Sequence, residues 1–428
     1  MSHIVIRAIP FATQLRAAKG GAKELLERDR ARAQKFLAGK SHHGPSATVG
    51  EFRQRHGHHH KGTATVPATA PATAPSTTVP SGTGGSSSAS ANSIDVTDSG
   101  VTYTMQVGVG NPATQYTLLI DTGSSNTWVG ANTPYNPSSS SVDTGNTINV
   151  SYGSGTMSGK QYTDTVTLGS KLVIQNQGVG VASSAQGFQD VDGILGVGPV
   201  DLTQGTVSNT SDVPTVTDNL YAQGTIPSDL LGVFYEPSST SNVANGEISF
   251  GGTDNTKYTG SINSVPLTTT SPASKYWGID QSVSYGTSNT ILNTTSGIVD
   301  TGTTLLLLAT EAFQAYQSAT GATQDSTTGL LTITPQQYSN LQSLYFKIGG
   351  VTYEFTPNAQ IWPRALNSTL GGSNGQIYLI VSDLGSSFGS GLDFINGFGW
   401  LQRFYTVYDT GKQQLGVATT AYTNAVTN

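Results

Sequence analysis

The sequence of 428 residues contains no cysteine. Disulfides, thiolate nucleophiles, cysteine zinc sites and iron–sulfur clusters are thereby excluded. Charge is also scarce: 11% of residues are Asp, Glu, Lys or Arg, against about 25% in an average protein. The surface must then be solvated by Ser, Thr, Asn and Gly. That suits a secreted protein working where carboxylates are protonated better than a cytosolic one. No apolar run approaches the roughly 18–20 residues that a membrane-spanning helix needs; Leu305–Ala309 is the longest conspicuous one. Met1–Pro10 lacks a basic region followed by a long apolar stretch, so no signal peptide is visible. The expectation is that the natural start has been removed or replaced. Apolar residues, at 36% with 51 glycines besides, suffice for a sizeable core.

Histidine is absent from most of the chain, and positive charge is scarce there. All seven histidines lie within residues 1–61, which carry a net charge of +8, whereas residues 62–428 carry −14. The acidic part therefore has no Ser-His-Asp triad, no HExxH helix and no histidine-held metal. Its chemistry must run on carboxylates, hydroxyls, amides or a few Lys and Arg. The stretch His56-Gly57-His58-His59-His60 reads as a solvated basic tail rather than a metal site, and no metal or other cofactor is expected.

Four segments follow from these shifts. Residues 1–61 form a basic module, with a strand expected over 4–11 and an amphipathic helix over 22–38, where Leu26, Ala33 and Leu37 recur at helical spacing. Residues 62–93 are a linker of Ala, Thr, Pro, Ser and Gly with two Val and one Asn. From residue 94 onward short strands alternate with Gly, Asn, Asp and Ser turns, which predicts an all-β body. Strands are expected at Val101–Val109, Gln115–Ile120, Thr163–Leu168, Glu247–Phe250 and Phe404–Tyr408, and a helix at Thr310–Gln317 capped by Thr310.

One internal repeat carries chemistry. Leu118-Leu119-Ile120-Asp121-Thr122-Gly123-Ser124-Ser125 is echoed by Gly297-Ile298-Val299-Asp300-Thr301-Gly302-Thr303-Thr304. Each copy is followed by an apolar-glycine element, Gly193–Gly198 in one half and Phe394–Gly399 in the other. A carboxylate at the end of a core strand loses solvation. Glycine two residues on lets the backbone approach closely. Hydroxyls at the first and third following positions can donate to the carboxylate. Two such turns brought together would place two Asp side by side, and one proton would then be shared between them. A single Asp-Thr-Gly is most often an ordinary turn; the matched pair is what points to catalysis.

These turns resemble those of the pepsin-like aspartic proteases, the secreted fungal, polyporopepsin-like branch in particular. Val150-Ser151-Tyr152-Gly153-Ser154-Gly155 is similar to the flap hairpin of that family, and Trp128 to the Trp beside its flap Tyr. Asp192–Gly196 and Arg403–Asp409 are also family-like, and the likeness covers roughly residues 94–420. Three departures stand out. The family usually carries disulfides, and where many relatives have Leu-Gly-Asp this chain has Asn396-Gly397-Phe398. Some fungal relatives place an Asp in the flap to accept a Lys side chain; Ser154 stands there, so Lys-directed cleavage is not expected.

The resemblance implies a bilobal all-β fold with lobes over 94–262 and 263–428, and a monomeric acid endopeptidase acting on extended peptides. Asp121 and Asp300 are the expected catalytic pair. Ser124 and Thr303 orient them, and Thr122 and Thr301 tie the turns together around Gly123 and Gly302. Tyr152, Gly153 and Ser154 form the flap, and Leu119, Trp128, Val191 and Ile194 the substrate pockets. Pepstatin-type inhibitors should bind; nucleic acid and membrane should not. Residues 1–61 resemble a propeptide, held by charge, with Lys35, Lys40 or Lys61 as candidate partners of the carboxylates. Three other readings stay open: an inactive binding protein of the same fold, a glycosidase using two carboxylates, and a cell-surface structural protein.

Overall fold

The computed structural model describes residues 21–41, 44–45, 92–153 and 155–427. The strand expected over 4–11, nearly all of the linker, Ser154 and Lys61 lie outside the described residues. Among the described residues no helix is long and apolar enough to cross a membrane.

The body is built from strands. Those expected from the alternation are present with shifted ends: Tyr103–Val109, Thr114–Asp121, Gly155–Gly169, Val243–Phe250 and Phe404–Asp409. Two sheets repeat one local topology. In the first, Thr114–Asp121 pairs in parallel with Gly193–Gly196, which pairs antiparallel with Trp128–Val129. Trp128–Val129 in turn runs parallel to Leu172–Gln186. In the second, Asn289–Val299 pairs in parallel with Phe394–Asn396, that strand antiparallel with Leu306–Leu308, and Leu306–Leu308 parallel to Val381–Asp383. Each half thus delivers one Asp from the end of an inner strand, with the later apolar-glycine element beside it. This is why the two motifs recur in the same order along the chain.

The halves also share a sheet. Phe404–Asp409 pairs with Leu230–Tyr235, and Gln414–Thr419 with Thr259–Pro266, all within a sheet of thirteen strands. The expected division at 262/263 falls inside Thr259–Pro266. The hairpin expected as a flap is the antiparallel pair Val142–Tyr152 and Gly155–Gly169, with Tyr152 opposite Gly155 at its tip.

The helix expected over 22–38 spans Gly21–Leu37. The helix expected at Thr310–Gln317 spans Thr310–Thr320, and its cap differs from expectation. Ala309 holds the N-cap position and makes no side-chain bond, while the Thr310 hydroxyl donates instead to Asp383 Oδ1 at 2.8 Å. A nearby carboxylate is a better acceptor than the Thr310 hydroxyl would be a cap, so the side chain turns outward from the helix end.

Candidate active site

The two Asp-Thr-Gly turns meet, and their hydrogen bonds correspond position by position. Gly123 N donates to Asp121 Oδ1 at 2.9 Å and Ser124 Oγ to Asp121 Oδ2 at 2.5 Å. Gly302 N donates to Asp300 Oδ1 at 3.1 Å and Thr303 Oγ1 to Asp300 Oδ2 at 2.6 Å. Both Asp residues are fully buried. The threonines directly after them do not bond the carboxylates, contrary to the local reading. They reach across: Thr122 N donates to Thr301 Oγ1, and Thr301 N to Thr122 Oγ1, each at 3.0 Å. The turns are therefore locked by a reciprocal pair, as the resemblance implied. A side chain on Gly123 would collide with Asp300 Oδ1, and one on Gly302 with Asp121 Oδ1. Glycine is required there for close approach of the two turns.

The altered Asn396 position is fully satisfied. Its amide exchanges two hydrogen bonds with Gln281, at 2.9 and 3.2 Å, and both side chains are buried. The Asn396 carbonyl accepts from Asp300 N at 3.1 Å, so the departure supports the second turn rather than loosening it.

What lies on the carboxylates is Arg32, a residue expected on the polar face of the helix and not among the three expected partners. Its Nε donates to Asp300 Oδ2 at 2.7 Å, and its Nη2 to Asp300 Oδ1 at 3.0 Å and to Asp121 Oδ1. Of the three lysines expected in this role, Lys35 is half-buried with its ammonium 5.1 Å from the centre of the Tyr152 ring. Lys40 lies beyond the helix in the short strand Lys40–Ser41, and Lys61 is outside the described residues. The correction has a physical basis. A guanidinium offers several donors in one plane and can serve two adjacent carboxylates at once, which a point-like ammonium does less well. The signal was present in the helix itself. Its buried positions run Ala22, Leu25, Leu26, Asp29, Arg32, Ala33, Phe36, so two charged residues occupy an otherwise apolar stripe.

Asp29 is the second anchor. Its Oδ2 accepts from Thr304 N at 3.0 Å and Leu305 N at 2.9 Å, directly after the second turn, and Arg28 donates to the Thr304 hydroxyl at 2.7 Å. Burial raises the Asp29 carboxyl above its ordinary range, against the pull of Arg28 and the two amides. Burial would also raise Asp300, but the Arg32 charge and hydrogen bonds outweigh it and hold Asp300 below its ordinary value. Burial and then Arg32 lower Lys35 to about 7.

The hairpin tip closes over this helix. A side chain at Gly153 would collide with the backbone of Arg32. Trp128 is fully buried and donates from Nε1 to the Tyr152 hydroxyl at 2.8 Å. Phe188 stands edge-on to both rings, with centroids 4.9 Å from Trp128 and 5.3 Å from Tyr152. Leu119, Val191 and Ile194 line a cavity of about 790 Å³ together with Tyr152 and Phe188. Trp128, expected as a pocket wall, lies behind that surface and supports Tyr152 instead. Among the described residues no cluster of acidic or histidine side chains could hold a metal ion.

Known proteins share the sequence and the fold of this chain. Residues 102–420 match the family described as eukaryotic aspartyl protease. The chain is 59% identical over 340 residues to polyporopepsin of Irpex lacteus, covering 79% of this chain and all of that protein. It is 32% identical over 337 residues to pepsin A of Bos taurus, covering 74% of this chain and 84% of the relative. The crystal structure of an aspartic proteinase from Irpex lacteus superimposes with a TM-score of 0.77 at 59% identity, covering 78% of this chain and 99% of the other. The chain belongs to the eukaryotic aspartyl protease family, with a pepsin-like all-β fold and the enzyme class of an aspartic-type endopeptidase.

Proposed function

We propose that this chain is the zymogen of a secreted fungal acid endopeptidase in which Asp121 and Asp300 perform the chemistry and residues 1–61 hold them silent. The observation that carries the reading is Arg32, whose guanidinium hydrogen-bonds both carboxylates from the helix Gly21–Leu37. Residues 62–93 are the link to be cut, and 94–262 and 263–428 the two lobes, joined by the shared sheet.

Once the helix leaves, the two carboxylates share one proton, because two adjacent charges do not ionise together easily. The ionised member takes a proton from a water as that water attacks the scissile carbonyl. The protonated member hydrogen-bonds the carbonyl oxygen as charge develops there. Ser124 and Thr303 keep the carboxylate planes fixed, and Thr122 and Thr301 keep the turns together. The peptide lies extended, bonded through its main chain, with apolar side chains against Leu119, Val191 and Ile194. Tyr152, Gly153 and Ser154 cover it.

Asp121→Asn and Asp300→Asn should each abolish hydrolysis of denatured protein, measured from pH 2 to 7, and pepstatin should silence the parent chain. Each carboxyl has a part the other cannot take. A variant keeping more than about a tenth of the parent rate, a loss of only ~1.4 kcal/mol, would sink the mechanism.

A further inference from the structure

We infer that Asp190 is a specificity-determining residue, which gives the cleft a subsite for a basic side chain of the peptide. This rests on the reading of the cleft as the substrate groove. The walls of the cavity beside the carboxylates are apolar or uncharged, with one exception. Among the described residues lining it, Asp190 is the only charged one outside the helix Gly21–Leu37. Among the described residues none donates a hydrogen bond to its carboxylate, and the residue is exposed. Asp192, two residues on, contrasts with it: Thr117 N and Thr133 N donate to that carboxylate at 2.8 and 2.9 Å, a structural use. Asp190 has no such use.

The helix shows what chemistry suits this place. Arg32 sits on the two carboxylates, and Arg28, one turn earlier, lines the same cavity as Asp190. Arg28 reaches Thr304, and its charge opposes the burial that, together with Glu24, holds the Asp190 carboxyl above its ordinary value. A peptide replacing the helix removes that cation and leaves Asp190 facing whatever side chain lies between Val191 and Thr304. Arg or Lys would pair with it, and Glu would be repelled. Ser154 in the flap sequence therefore does not leave the cleft without a site for a cation; the site is Asp190, two residues after the Phe188 that packs on Tyr152.

The test is a peptide series, apolar throughout, in which each position around the cut bond in turn carries Arg, norleucine or Glu. The full chain, incubated beforehand at pH 3 to 4, is assayed at pH 5. At one position Arg should raise kcat/KM over norleucine by about two- to fivefold, the range of an exposed ion pair. Asp190→Asn should bring that ratio near one, and Asp190→Lys should turn the preference toward Glu. No position favouring Arg, or a preference that survives both substitutions, overturns the inference while leaving peptide hydrolysis in place. A parent chain that cleaves none of the peptides overturns the reading of the cleft, and the subsite with it.

Discussion

Arg32 and the two carboxylates form a buried ion-paired group, and removing the cation leaves the carboxylates their hydrogen bonds from the turns but not this counter-charge. The carboxylates can recover by sharing a proton, the state that the proposed mechanism requires of them. Arg32→Ala should therefore release activity rather than destroy the fold. The uncut chain should cleave a peptide at pH 5 at least about tenfold faster than the parent, a difference of ~1.4 kcal/mol in docking. Arg32→Lys should fall between them, since an ammonium keeps the charge but not the planar fork. Mass spectrometry on the same samples shows whether the chain is still uncut; an uncut Arg32→Ala chain as silent as the parent would refute the assignment. The carboxylates were legible in the sequence because their turn is written twice with the same flanks. Arg32 was not, because nothing local separates one cation of a basic helix from the next. Only its place in the stripe between Leu25 and Phe36 does so, and that stripe is visible once the face is known to be buried.

The flap hairpin and the helix beneath it exclude each other's other partners. Gly153 has no room for a side chain above Arg32, so the hairpin tip rests on the helix backbone as it would rest on a peptide. Tyr152 is held from behind by the Trp128 hydrogen bond and edge-on by Phe188. Tyr152→Phe removes the bond and keeps the ring, whereas Tyr152→Ala removes both. Turnover of a long peptide should fall in that order, Ala below Phe below parent, without reaching zero, because the hairpin orders substrate and excludes water but moves no proton. Equal kcat and KM for all three would take Tyr152 out of the site. Strand positions in this hairpin were readable from alternation, since buried and exposed residues alternate at Ile148, Asn149, Val150, Ser151 and Tyr152. The partnership of Leu230–Tyr235 with Phe404–Asp409 was not readable. Pairing across so long a separation leaves no mark in the local pattern of either strand.

Over the whole molecule, residues 1–61 carry +8 and the remainder −14, the helix Gly21–Leu37 of the basic part lies on the body, and pH acts on both sides of that contact. Asp300 is held below its ordinary value by Arg32, so its part in docking is present above its free value and lost as pH falls. Lys35 is lowered to about 7 when docked. Its cost to docking therefore grows as pH falls from its free value toward 7 and is constant below that. Asp29 runs the other way: its raised value means that acid favours its docked form, so it opposes release. Release in acid is thus assigned to the carboxylate pair taking up a proton from solvent and so losing its ion pair with Arg32, which keeps its own charge, helped by protonation of the body's other carboxylates near a pH of about 4. Full-length protein incubated at pH 3 to 4 should be cut within 62–93, giving a chain that starts before Ile94, read by mass spectrometry of the new N-terminus. At pH 7 it should stay whole and silent. High salt at pH 7 should loosen the long-range attraction more than the buried Arg32 contact, because screening acts on exposed charges first. Salt alone should therefore give at most slow processing, and Arg32→Ala with salt a faster one. Full activity at pH 7 with residues 1–61 still attached, or a chain left whole after incubation at pH 3, would show that the segment is not the latch.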